Sequence, residues 1–244
     1  MKIAIISDIH GNLTALEAIL PAIKEADHVV CLGDVALVGP QPREVIGVLR
    51  RSKWPCVLGN TDEELVKSTP GDYAKTDMPE SERQKMMALD RWTISQLRGS
   101  ERGILSRFKP TIEASAGTLS LLCYHGSPRS NTEGILPTLP EKQLADALAG
   151  RRADLYAGGH THAQMVRRFG SSVVINPGSV GLPYYFDAAG AAKNPAWAEY
   201  AMVTVSGDDL KVEMRRTRYS LDALRDAVRG SGMPEPEWWL SDWV

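Results

Sequence analysis

Short apolar runs alternate along this chain with stretches whose apolar positions recur every three or four residues. That is the pattern of strands and helices in an α/β fold. Residues 2–7 (KIAIIS) predict a buried strand, after which Leu13, Leu16, Ile19, Leu20 and Ile23 fall at helical spacing. Asn12 stands where an N-cap belongs, with Thr14 and Glu17 as an alternative capping box. Pro21 should kink this helix or end its regular part. Residues 28–32 predict a second strand, 43–51 a helix and 55–58 a third strand. Between about 61 and 110 the strand character fades. There Ser81 and Gln84 read as a capping box, and Met86, Leu89, Thr93 and Leu97 form one helical stripe that Gly99 stops. The segment predicts a helical excursion, which we expect to overhang the candidate site and narrow access to it. The β pattern then returns as a hairpin, 111–115 with 118–124, turning at Ala116-Gly117. A helix over 141–149 and a short strand over 155–157 come next. Two more hairpins pair 164–169 with 172–176 and 199–205 with 210–214, while 182–195 reads as loop.

The chemistry stands at the C-terminal ends of these runs. KIAIIS leads into Asp8-Ile9-His10, HVVCLG into Asp34 and PCVLG into Asn60. LSLLCY ends at His125, and DLYAGG ends at His160-Thr161-His162. Ligands of open α/β folds bind just beyond the carboxyl ends of the strands, so five strand ends bearing metal-capable residues converge on one place. Of the chain's five histidines only His28, at the start of its strand, falls outside this pattern and reads as structural. Glycines flank most of these positions; they suit sharp turns, and a missing Cβ also leaves room for ions.

Composition narrows the classes. With 244 residues the chain is long enough for one large domain and a sizeable core, and 1–244 reads as a single domain with a tryptophan-rich tail. Twenty-eight basic and thirty acidic residues give a net charge of −2, which removes the footprint of a dedicated nucleic-acid surface. No membrane span or signal peptide is evident in the pattern. Cys31, Cys56 and Cys123 each lie in an apolar run, where reduced core thiols of a cytoplasmic protein are expected. The tail, 237–244, is expected to pack on its own domain or on a subunit partner in a homo-oligomer.

The ordered motifs Asp8-x-His10, Gly33-Asp34, Gly59-Asn60-Thr61-Asp62, His125-Gly126 and Gly159-His160-Thr161-His162 resemble those of the calcineurin-like metallophosphoesterase superfamily. The segment Asn176-Pro177-Gly178-Ser179 brings the resemblance nearest to its small bacterial and archaeal phosphodiesterases. It implies a four-layer α/β/β/α sandwich, two mixed sheets flanked by helices. It also implies two divalent ions, one held by Asp8, His10 and His162, the other by Asn60, His125 and His160, with Asp34 bridging. Imidazoles, carboxylates and an amide, with no thiolate, suit manganese, iron, zinc, cobalt or nickel rather than a Cys-rich zinc site, and manganese is the ion expected first. The implied reaction is in-line hydrolysis of a small phosphodiester by a hydroxide held between the ions, with Asp34, Asn60 and His125 as catalytic residues. Asn60, Thr61 and Arg129 are the candidate substrate contacts. Thr61 departs from the family pattern, which often has histidine there to protonate the leaving oxygen; a threonine hydroxyl has no pKa near neutrality. The alternatives are a phosphomonoesterase, a nucleotide pyrophosphatase, or a non-catalytic interaction module on this fold.

Overall fold

Alternation along the central strands decides the layering. The structure, a computed structural model, describes residues 1–244 apart from the side chain of Lys75. In β1 (Lys2–Ile6), Ile3 and Ile5 face one side of the sheet and Ala4 and Ile6 the other, all of them buried. β1 pairs in parallel with β2 (His28–Cys31) and antiparallel with β10 (Trp197–Ser206), which pairs with β11 (Asp209–Arg218). A second mixed sheet runs in the order β3 (Thr111–Ala116), β4 (Leu119–Tyr124), β5 (Leu155–Ala157), β7 (Ser172–Asn176), β6 (Met165–Phe169).

Three cores separate four layers. Ala4 and Ile6 meet Ala15, Leu16 and Ile19 of α1 (Leu13–Ile23) and Val45, Ile46 and Leu49 of α2 (Pro42–Ser52). Ile3, Ile5, Val30 and Leu32 pack between the sheets against Leu121, Cys123, Leu155 and Ile175. On the far side, Leu122, Tyr124 and Tyr156 bury against Leu144 and Ala147 of α6 (Glu141–Ala147). Two mixed sheets flanked by helices result, in the expected α/β/β/α order.

Local chemistry settles the remaining elements, some against expectation. Asn12 caps α1, its Oδ1 accepting from the Ala15 N–H at 3.0 Å, and Pro21 sits inside the last turn without ending the helix. Residues 55–58 make only isolated bridges, Cys31 to Cys56 and Val57 to Lys109, and no strand. Pro55 has no N–H to extend the ladder. The excursion is helical: α3 (Asn60–Lys67), a 3₁₀ turn (Tyr73–Lys75), α4 (Glu80–Gln96) and α5 (Gly99–Leu105). Ser81 is no cap, because α4 starts at Glu80 behind Pro79, and the Gln84 side chain bonds Glu80 instead. Gly99 opens α5 rather than closing α4. The 182–195 stretch carries a small hairpin, β8 (Tyr185–Phe186) with β9 (Ala192–Lys193). Its turn is organised by Asp187, whose Oδ1 accepts from the N–H groups of Ala189 and Ala191.

The C-terminal segment forms α7 (Leu221–Gly230) and α8 (Pro236–Leu240). Trp239 and Trp243 stack at 5.1 Å and bury with Leu224, Val228 and Leu89 of α4, so the tail packs on its own chain. No helix among the described residues is long and apolar enough to cross a membrane. Cys31, Cys56 and Cys123 are buried free thiols.

Candidate metal centre

Five turns at one edge of the sandwich bring the candidate residues together. The turns are bonded to one another: Asp8 N–H donates to Gly33 O, His10 N–H to Asp34 O, and Gly159 N–H to His125 O, at 2.7–3.0 Å. The backbone is strained where it matters. Asp8, His10, Asp34, His160 and His162 all have φ between 46° and 66°. For a residue with a Cβ that conformation costs on the order of 1 kcal/mol or more, and it clusters where a site over-determines the backbone.

Three of the four histidines are oriented by what their Nδ1 meets. Nδ1 of His10 lies 3.1 Å from Leu37 O, that of His125 2.8 Å from Leu32 O, and that of His162 2.7 Å from Leu182 O. A carbonyl accepts, so Nδ1 carries a proton in all three rings and Nε2 is the atom each ring can offer to a cation. Those Nε2 atoms point inward. Nε2 of His10 and His162 are 3.1 Å apart; Nε2 of His125 is 3.1 Å from Asn60 Oδ1 and 3.3 Å from Asp34 Oδ2.

The carboxylates complete two groups. Asp8, His10 and His162 offer ligand atoms within 4.8 Å of one another, and so do Asp34, His125 and His160. Asp34 Oδ2 also lies 4.0 Å from His10 Nε2, facing both groups. Asp8 and Asp34 are buried, which alone would raise their carboxyls. The surrounding imidazoles outweigh burial: His162 holds Asp8 below its ordinary value, and His125 holds Asp34 well below the usual carboxylate range. Burial lowers His125, but the Asp34 and Asp8 charges overcome it and lift that imidazole to about 10. Burial and His162 lower His10.

A divalent cation fits this donor set. Asp8 Oδ1 is buried, and the atoms that face it, His162 Nε2 at 3.3 Å and His10 Nε2 at 3.8 Å, are themselves potential ligand atoms. The two imidazole Nε2 atoms lie 3.1 Å apart, so a cation could draw on both. The Nδ1-to-carbonyl pairs are the outer contacts that fix metal-binding histidines.

Around the ligand atoms stands a frame whose residues carried no assigned role in the sequence. Asp62, fully buried, accepts from the N–H groups of Asp34 (2.8 Å), Val35 (2.9 Å) and Gly59 (3.1 Å). It thus ties the Asp34 turn to the start of α3. Burial and the Asp34 charge push Asp62 up to about 7, against the Val35 and Gly59 donors and the His125 charge. Ser179 Oγ donates to Asp8 O at 2.7 Å, and Asn176 Nδ2 to Gly159 O at 2.7 Å, so the Asn176–Ser179 turn braces two ligand-bearing loops. Gly59 and Gly159 serve by omission. A Cβ on Gly59 would stand 2.0 Å from Asp34 Oδ1, and one on Gly159 2.0 Å from Ser7 Oγ and 2.8 Å from Asp8 Oδ2. The room expected for ions is taken by the carboxylates themselves.

The candidate substrate contacts fare unevenly. Thr61 donates its N–H to Asp34 Oδ1 at 3.0 Å, and its buried Oγ1 has no partner. Arg129 is exposed and its guanidinium forks onto Glu133, whose carboxylate also accepts from Ser127 Oγ. It reaches a phosphate only by giving up that pair. A shallow pocket of about 460 Å³ opens at His160 and His162, lined by Gly134, Leu136, Thr161 and Tyr184. No residue of 61–110 lines that pocket; of the excursion it is the start of α3 that meets the site, through Thr61 N–H on Asp34 Oδ1. The excursion leaves the site after α3 and packs on the α1–α2 layer through Leu65, Leu97 and Leu105.

The two-sheet fold and the gathered imidazoles and carboxylates are those of a calcineurin-like domain, and the comparison with known sequences agrees. The chain belongs to the calcineurin-like phosphoesterase superfamily, whose domain matches residues 1–208. It is similar to an uncharacterized protein of Methanocaldococcus jannaschii, 26% identical over 259 aligned residues that cover 98% of this chain and 96% of that one. Its fold matches a metallophosphoesterase from Sphaerobacter thermophilus, with a TM-score of 0.73, 25% identity and 99% of each chain covered. A hypothetical protein from Pyrococcus horikoshii OT3 shares the fold at a TM-score of 0.78 and 22% identity, over 96% of this chain and 94% of that one.

Proposed function

We propose that this protein hydrolyses small phosphodiesters with two divalent metal ions. One observation carries the reading: the Nε2 atoms of His10, His125 and His162 and the carboxylates of Asp8 and Asp34 converge on one buried place as two groups of ligand atoms. Asp8, His10 and His162 would hold one ion, Asn60, His125 and His160 the other, and Asp34 would face both. When bound, the pair lowers the pKa of a water and neutralises charge on the phosphoryl group. Nitrogen and oxygen donors with no thiolate among them suit manganese, iron, zinc, cobalt or nickel, and we take manganese as the first ion to test.

The chain's own residues do the rest. Asp34 and Asn60 orient the water and the phosphoryl group, and His125 stays fixed by Leu32 O. The Thr61 hydroxyl, buried and free of protein partners, donates to a phosphoryl oxygen but offers no proton to a departing alkoxide. The preference for diesters rests on the likeness of the motifs to the small phosphodiesterases.

The test is reconstitution. Metal-loaded protein should hydrolyse bis(p-nitrophenyl) phosphate, and elemental analysis should find two ions per chain. Asp34→Asn should cost both ions, because that carboxylate supplies charge to each, while His162→Ala should weaken one. Full occupancy of both in Asp34→Asn, or no hydrolysis by the loaded wild type, would overturn the reading.

A further inference from the structure

Next to the metal pocket the surface turns aromatic. Tyr184, Tyr185 and Phe186 are 42%, 43% and 66% exposed, and Leu136 across the pocket is 46% exposed. Large apolar side chains in one exposed patch mark a contact surface. Alternation along β8 splits them: Tyr184 and Phe186 lie on one side, their rings edge to face at 5.6 Å, and Tyr185 projects from the other. Tyr184 in turn leans on the imidazole of His162, ring centres 6.2 Å apart.

This placement is built. Leu182 O, which orients His162, stands two residues before Tyr184 on the same backbone. The hairpin is clamped from behind by the C-terminal tail: Asn194 N–H donates to Asp242 O at 2.8 Å and Val244 N–H to Asn194 O at 3.0 Å. Asn194 Nδ2 holds Pro183 O at 2.8 Å. The tryptophan-rich tail thus fixes the backbone that carries the aromatic corner.

We propose that Tyr184 and Phe186 form a stacking platform for a planar base, so the substrate is a nucleobase-bearing phosphate ester. The inference rests on the phosphoesterase reading above and adds what lies on the other side of the ester bond. Two rings set nearly perpendicular, at 78°, offer a face to stack on and an edge to bound it, which suits a flat ring. The pocket beside them is open, with room for a flat ring next to the candidate ligands His160 and His162. Leu136 closes the opposite rim.

Paired ligands isolate the base. Adenosine 5′-monophosphate and ribose 5-phosphate share the phosphate and sugar, so calorimetric titration of each into manganese-loaded protein reads the platform alone. A base stacked on an aromatic should give the adenylate roughly ten-fold tighter binding or more. Phe186→Ala, at a residue that does not line the metal pocket, should erase most of that preference and leave ribose 5-phosphate affinity as it was; Tyr184→Ala, at a residue that also touches His162, should bring the two affinities close to each other. Tyr185→Ala, on the opposite side of the hairpin, should keep the preference intact. Equal affinity of the two ligands in the wild type overturns the platform while sparing the phosphoesterase reading. Binding of neither ligand overturns both. If the alanine variants change only the sedimentation behaviour or vesicle binding of the protein, the patch is a self-association or lipid surface and the proposal fails.

Discussion

Asp62 offers the sharpest test of how the site is held, since it touches no candidate ion. One oxygen accepts from Asp34 and Gly59, the other from Val35, all within 3.1 Å. In Asp62→Asn the amide has a single acceptor oxygen. Turned toward Asp34 and Gly59, it sets its NH₂ against the Val35 N–H, so one bond is lost and two donors face each other. A buried donor left unmade costs about 1–3 kcal/mol, and weakening two charge-assisted bonds adds about 1 kcal/mol. The expected loss is about 2–4 kcal/mol, a large share of the roughly 5–15 kcal/mol that holds a domain together. The Asp34 turn, released from its clasp, should also bind metal less well. Urea unfolding of wild type and variant, each metal-loaded and metal-stripped, measures both effects. It belongs above about pH 8, where Asp62, pushed up to about 7, is ionised. Bound metal stabilises by mass action, so the gap between loaded and stripped protein should shrink in the variant. A variant that unfolds within about 0.5 kcal/mol of wild type in both states and keeps both ions would show that the three bonds do not hold the site.

Other outcomes follow from the same geometry. His125, raised from 6.5 to about 10, holds its proton in the metal-free protein, so metal must displace it. Affinity should therefore climb about ten-fold per pH unit between pH 7 and 9, with proton release seen by calorimetry in buffers of different ionisation enthalpy; a flat profile refutes this. The same group stabilises the metal-free fold fully below pH 6.5, and that contribution is lost as pH rises through about 10, so stripped protein should be less stable at pH 10 than at pH 7. Gly159→Ala drives a Cβ into Ser7 and Asp8 and should cost about 1–3 kcal/mol and weaken metal binding, read by thermal unfolding and elemental analysis. With threonine at position 61, hydrolysis should depend steeply on leaving-group pKa, aryl diesters outrunning alkyl ones by about 10²–10⁴-fold. A shallow slope across an aryl and alkyl series would mean that another group supplies the proton.

The layers and the gathering of ligands were legible because each rests on a short-range rule. Period-two burial in residues 2–7 places Ile3 and Ile5 opposite Ala4 and Ile6, and a strand's end delivers its next residues to one edge of a sheet. Thus four histidines scattered over more than 150 positions could be read as one cluster. The errors share a cause as well. Ser81 carried the letters of a capping box, but Pro79 had already started α4, and a motif cannot show which of two overlapping signals wins. Residues 55–58 looked like a strand because pairing depends on neighbours that the local sequence does not contain. The bracing of the site lies beyond such rules for the same reason. Nothing within Gly59-Asn60-Thr61-Asp62 indicates that Asp62 reaches back to Asp34 and Val35, 28 and 27 positions earlier. Nor does the local sequence explain why five ligand candidates hold a left-handed backbone. Asp and His tolerate that conformation better than branched residues do, which makes it permitted. What makes it occur is the mesh of turns around them, where Gly33 O, Asp34 O and His125 O each take an N–H from the next loop. The ligand residues and their strained backbone are thus selected together: the chemistry needs imidazole and carboxylate, and the turns need side chains that accept a positive φ.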